Sequence, residues 1–188
     1  TFTDQGALAR LLDALPGAGE VTIEANPETV TGSLPALLRR HGVSRVSLGV
    51  QSFEPRLLEV LERRSGPGDA HRAFAALRDS GFDNISLDLI YGIPGQSAAD
   101  LERDLAAAIA LEPEHISAYE LEAKPGTRFA VHHGARLEEQ RNQLERHYDL
   151  VIDSLSASGY DWYEVASFAR DPEHQGLHNR AYWEGRDY

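Results

Sequence analysis

The chain contains no cysteine and no methionine. Without cysteine it can form no disulfide and offers no thiolate to a metal. Without methionine it lacks the residue at which translation starts, so it reads as processed or as a fragment. Its ends, Thr1-Phe2-Thr3 and Arg186-Asp187-Tyr188, both read as cut from something longer. No apolar run approaches the roughly 20 residues of a membrane span, and no signal-peptide pattern opens the chain, so a cytoplasmic location is expected. Positive charge is scarce: Lys and Arg number 18 against 30 Asp and Glu, a net charge of −12. The basic residues form nothing larger than pairs such as Arg39-Arg40 and Arg63-Arg64, which argues against nucleic acid as a partner. An anionic ligand could still be held by a few cations placed inside a cleft.

What remains is an ordinary globular composition, 41% hydrophobic and 26% charged over 188 residues, suited to one domain. Helix-type and strand-type segments alternate. Helical patterns cover Gln5–Leu15 (with Asp4 as N-cap), Ser33–His41, Pro55–Glu62, Asp69–Ser80 and Asp100–Leu111, and a long one covers Leu137–Ser158. Strand patterns cover Val21–Asn26, Arg45–Val50, Ile85–Tyr91 and His115–Leu121, and Tyr160–Phe168 reads as extended. A loop is expected at Lys124–Thr127, and the aromatic last stretch reads as irregular.

Repeated strand–helix units imply a parallel sheet, either a barrel or a doubly wound sheet. Glu24, Gln51, Asp88 and either Glu120 or Glu122 fall at or near strand C-termini. A barrel of parallel strands builds its site at that rim. A doubly wound sheet would place a Gly-rich phosphate loop after an early strand, and no glycine cluster here has that placement. The pattern favours an α/β fold built as a partial or open barrel. The alternative is that these polar residues merely cap turns.

Asp88 is the most telling of them. It interrupts the apolar run Ile85–Tyr91 just before Gly92, Pro94 and Gly95. A carboxylate in a buried strand is costly unless it is paired, so it either builds a site or caps the following turn. Taken singly, Glu24 could be a paired core carboxylate, Gln51 a turn residue, and Arg63 a solvated cation favouring the end of a helix. His132-His133 reads as a solvated pair on a loop, and none of the histidines has convincing metal-site spacing.

Five segments taken in order carry a resemblance. They are Ile23-Glu24-Ala25-Asn26-Pro27, Ser47-Leu48-Gly49-Val50-Gln51-Ser52-Phe53, Leu61-Glu62-Arg63, Leu87-Asp88-Leu89-Ile90-Tyr91-Gly92-Ile93-Pro94-Gly95-Gln96, and His178-Asn179-Arg180-Ala181-Tyr182-Trp183. In this order and spacing the chain resembles the radical S-adenosylmethionine (SAM) enzymes of the oxygen-independent coproporphyrinogen III oxidase family. The His-Asn-x-x-Tyr-Trp segment is similar to that of its haem-chaperone branch. The resemblance implies a partial TIM-type (βα) barrel over residues 1–170, its first unit missing and its C-terminus cut, with residues 171–188 opening a C-terminal segment.

It further implies a 4Fe–4S cluster held by a Cys-x3-Cys-x2-Cys loop upstream of Thr1, with Thr1-Phe2 as the tail of a Gly-Gly-Thr-Pro turn. Lacking those cysteines, this chain alone is expected to hold no cluster and to be inactive in radical chemistry. SAM would be contacted by Glu24, Gln51, Arg63 and Asp88, with Glu122 making a further contact through its backbone. By charge, Arg63 suits the SAM carboxylate, and the other three are acceptors for its ammonium and hydroxyls. The chain departs from the family at Arg63-Arg64-Ser65, where the pattern usually continues Arg-x-His. His178 is the candidate haem ligand, with Tyr182 and Trp183 lining a porphyrin face; otherwise His178 and Asn179 hydrogen-bond a loop. The resemblance therefore implies a haem chaperone serving an acceptor haemoprotein, or else the oxidase, which decarboxylates coproporphyrinogen III using a radical made from SAM.

Overall fold

A computed structural model describes residues 4–66 and 68–186; the expected turn tail at Thr1-Phe2 lies outside the described residues, as do Asp187 and Tyr188. Four strands, β1 (Thr22–Ala25), β2 (Arg45–Gln51), β3 (Ile85–Tyr91) and β4 (His115–Glu120), lie side by side and parallel in that order. Two shorter strands extend the sheet beyond β4: β6 (Ser167–Ala169), antiparallel to β4, and then β5 (Asp161–Trp162). The result is an open, parallel-rich α/β sheet. The antiparallel end is a difference from the all-parallel expectation. It arises because residues 160–168 form a tight hairpin rather than one extended run.

Eight α-helices occur among the described residues: α1 (Gln5–Asp13), α2 (Leu34–Arg40), α3 (Pro55–Val60), α4 (Asp69–Asp79), α5 (Ala98–Ala110), α6 (Arg128–Arg141), α7 (Leu144–Ala157) and α8 (Leu177–Trp183). Their starts follow local chemistry. Asp4 accepts from the Ala7 amide at 2.8 Å to open α1. Ser97 and Asp100 form a reciprocal capping box that opens α5. The core is the strand interiors, Val46, Leu48, Ile85, Leu87 and Ile116, packed against apolar stripes of the helices such as Leu77, Leu105 and Leu155.

The single long helix expected over Leu137–Ser158 is two helices. Its apolar stripe belongs to α7 alone, whereas α6 starts at Arg128 and buries only Gln140. The Gln140 side-chain amide donates to the Gln96 backbone carbonyl at 2.9 Å, and the Gln140 backbone carbonyl accepts from the Gln143 amide at 2.8 Å, closing the helix there. His132 and His133 accordingly sit on a helix, not a loop, with their rings 4.7 Å apart. The aromatic last stretch, expected to be irregular, contains α8.

Candidate functional site

The C-terminal ends of β1, β2 and β3 enclose a polar cavity of about 220 Å³, lined by Glu24, Ala25, Asn26, Ser47, Gly49, Gln51, Arg63 and Asp88. Four of the residues singled out in the sequence thus meet in one place, each delivered by a different segment. Glu24 is the penultimate residue of β1 and is exposed. Asp88 comes from the middle of β3. Both of its carboxylate oxygens accept from the Ser47 hydroxyl on the neighbouring strand, at 2.9 Å. Burial pushes the Asp88 carboxyl above the ordinary carboxylate range; the hydrogen bond from Ser47 and the Arg45 cation oppose that, and the nearby Glu24 adds to it. Ser117 also hydrogen-bonds the carboxyl, so Asp88 is held by two small hydroxyl side chains and can accept from a cationic donor in the cavity.

Gln51 stands at a one-residue irregularity in β2, where Leu48 pairs Leu87 but Gln51 pairs Leu89. It adopts a left-handed backbone, φ 65°, a conformation uncommon for a side chain other than Gly, Asn or Asp and typical of functional strain. The next two residues hold it there. Ser52 donates its hydroxyl, and Phe53 its amide, to the two oxygens of buried Asp104 on α5, each at 2.7 Å. Arg63 follows α3 and is half-buried. One terminal nitrogen, Nη2, donates to Asn26 Oδ1 at 2.6 Å and to the Gly49 carbonyl at 3.2 Å, which fixes the fork while Nε and Nη1 make no hydrogen bond among the described residues. Gly49 makes this convergence possible. A Cβ there would stand 2.8 Å from Gln51 Nε2 and 3.3 Å from Arg63 Nη2.

Glu122 and His178 lie elsewhere. Glu122, in the segment after β4, lines a separate hollow with Gly92, Gln140, Arg141 and Leu144. His178 is exposed on α8, and Trp183 of the same helix lines an apolar hollow of about 370 Å³ with Trp162, Tyr163, Glu164 and Val165. Sequence reasoning left Asn26, Ser47, Gly49 and Asp104 without roles. Ser47 and Gly49 share the two-residue alternation that leads to Gln51, and Asp104, like the capping Asp100 one turn earlier, is a carboxylate among the buried residues of α5, so both signals were available.

The cavity therefore offers two carboxylates and an amide oxygen as acceptors, and one guanidinium as a two-point donor. That set matches a zwitterion carrying extra hydroxyls. Among the described residues no group of three or more His, Asp or Glu side chains is placed to hold a metal ion.

The family model of the radical SAM superfamily matches residues 2–108. The chain belongs to the radical SAM superfamily. Residues 2–108 span β1–β3 and every wall of the cavity. The chain is 41% identical over 186 residues to a heme chaperone HemW of Mycobacterium tuberculosis (95% of this chain, 47% of the relative). It is 37% identical over 183 residues to heme chaperone HemW of Escherichia coli (97% and 47%) and 35% identical over 181 to that of Bacillus subtilis (95% and 48%). It spans about half the length of these relatives. Among solved structures, the coproporphyrinogen III oxidase HemN of Escherichia coli, a radical SAM enzyme, superposes with a TM-score of 0.76 at 23% identity, covering 97% of this chain and 43% of that one. The superposition establishes the radical SAM fold for the sheet and helices described above. No helix among the described residues is long and apolar enough to cross a membrane.

Proposed function

We propose that this chain is the SAM-binding core of a cytoplasmic haem chaperone, with residues 171–188 opening a segment that contacts haem. The carrying observation is the convergence of Glu24, Gln51, Arg63 and Asp88 on one cavity of the parallel sheet. The fork of Arg63, anchored by Asn26, would bind the SAM carboxylate in two-point fashion. Asp88 and Glu24 would take its ammonium and ribose hydroxyls, and the Gln51 amide would complete the acceptor set. The Gly49 cradle, which a methyl group would fill, suits the close approach of a ligand to β2. Glu122 would contact the same ligand through its backbone only if SAM reaches beyond this cavity toward the separate hollow that Glu122 lines. SAM bound beside a reduced iron–sulfur cluster supplies radical chemistry. The cluster does not fit this chain's own residues, because the sequence has no cysteine, and its ligands are assigned to the upstream part of the full-length protein.

The chaperone reading is supported by extended identity with proteins named as heme chaperones and by the exposed His178, offered as an axial haem ligand. An acceptor haemoprotein would take the cargo. In the full-length protein, Arg63→Ala should weaken SAM binding by about 1–3 kcal/mol, the loss of a charge-assisted contact. Calorimetry giving parental affinity would remove Arg63 from the site. Anaerobic turnover separates chaperone from oxidase, since efficient formation of protoporphyrinogen would replace the chaperone assignment.

A further inference from the structure

We propose that Tyr163 is the positioning residue for α8, tying the start of that helix to the interior of the sheet and so setting where His178 and Trp183 stand. Tyr163 lies between β5 and β6, its amide bonded to the Ser167 carbonyl at 3.2 Å. Its hydroxyl reaches inward to His115 Nε2 at 2.9 Å. His115, on β4, is fully buried, and its Nδ1 lies 2.8 Å from the hydroxyl of Ser86 on β3, also fully buried. The Tyr163 and His115 rings meet edge to face with centroids 5.7 Å apart.

On its outer side the same hydroxyl accepts from the amide of Gly176, the residue that opens α8, at 3.1 Å, and from Asn179 Nδ2 at 3.5 Å. A neutral imidazole donates from one nitrogen and accepts at the other. Full satisfaction has the Tyr163 hydroxyl donating to Nε2 and Nδ1–H donating to Ser86, which leaves the phenolic lone pairs to Gly176 and Asn179. The chain of bonds then runs from α8 through the hairpin into two central strands.

α8 needs such a tether. It has only seven residues and buries no side chain of its own. Isolated helices of that length do not persist in water. Asn179 thereby gains a role distinct from that of its neighbour: it faces the tether while His178 faces solvent. Tyr163 also lines the apolar hollow, together with Trp162 of the hairpin and Trp183 of α8.

The tether stands on geometry alone, whereas its consequence for haem rests on the proposed function. The test compares Tyr163→Phe, Asn179→Ala and His178→Ala in the full-length protein, using hydrogen exchange, haem titration and SAM calorimetry. Tyr163→Phe should accelerate amide exchange across residues 176–183 far more than across β3 and β4, where His115 loses one bond, while SAM affinity stays parental. It should also shift the Soret band and weaken haem binding about tenfold. Asn179→Ala should do the same to a smaller degree. Parental exchange across residues 176–183 in Tyr163→Phe would overturn the proposal. Faster exchange there, combined with a parental haem spectrum in His178→Ala, would uphold the tether and remove His178 as the haem ligand.

Discussion

At the scale of single residues, the cavity is assembled at a cost to the fold. Asp88 holds a carboxylate where burial disfavours its charge, and Glu24 adds like-charge repulsion. A carboxyl whose folded value is raised above its unfolded one weakens the fold wherever it is ionised, so the penalty is present at neutral pH and relieved in acid. Asp88→Asn keeps the shape, removes the charge and should raise the thermal midpoint of the ligand-free protein at pH 7. The same substitution should weaken SAM binding, because the ammonium would lose its anionic partner. Calorimetry and thermal melts on one preparation read both effects, and a lower midpoint with parental affinity would contradict the account. The trade of stability against ligand is the usual signature of a functional site.

At the scale of elements, a helix holds the loop that carries the ligand-facing amide. Asp104 lies on the inward face of α5 and pins Ser52 and Phe53, the two residues after Gln51. Asp104→Ala would leave a buried hydroxyl and a backbone amide without their acceptor, at a cost of about 2–4 kcal/mol. Chemical denaturation should show that loss, and Gln51 should become mobile with it. Much of this was legible in the sequence. The four parallel strands, and the meeting of Glu24 and Gln51 near their ends with Asp88 from mid-strand, follow from apolar alternation broken by single polar residues. The division of residues 128–157 into α6 and α7 was not legible, because it depends on Gln140 reaching a carbonyl 44 residues away. The left-handed turn at Gln51 was equally hidden, since only the remote Asp104 and the slip of register against β3 impose it.

For the whole molecule, the buried His115 sets a response to acid. Burial, with help from the Arg45 and His174 charges, lowers its pKa from 6.5 to about 3. The unfolded chain therefore binds a proton that the native state refuses. Stability is complete above the unfolded value, falls as pH drops below about 6.5, and stops falling from this cause near pH 3, with a total on the order of 5 kcal/mol. Unfolding free energies measured from pH 7 to pH 4 should decline, and His115→Gln should flatten the slope. An unchanged slope would show that other groups carry the acid sensitivity.

The order of the strands also has a consequence for synthesis. Glu24, Gln51, Arg63 and Asp88 all lie within the first 88 residues, whereas β6, which pairs with β4, and α8 come last. On the ribosome the cavity's side chains are present long before Tyr163 emerges to meet His115. A nascent chain stalled between β4 and β5 would hold every wall of the cavity and yet have neither the hairpin nor the helix that it carries.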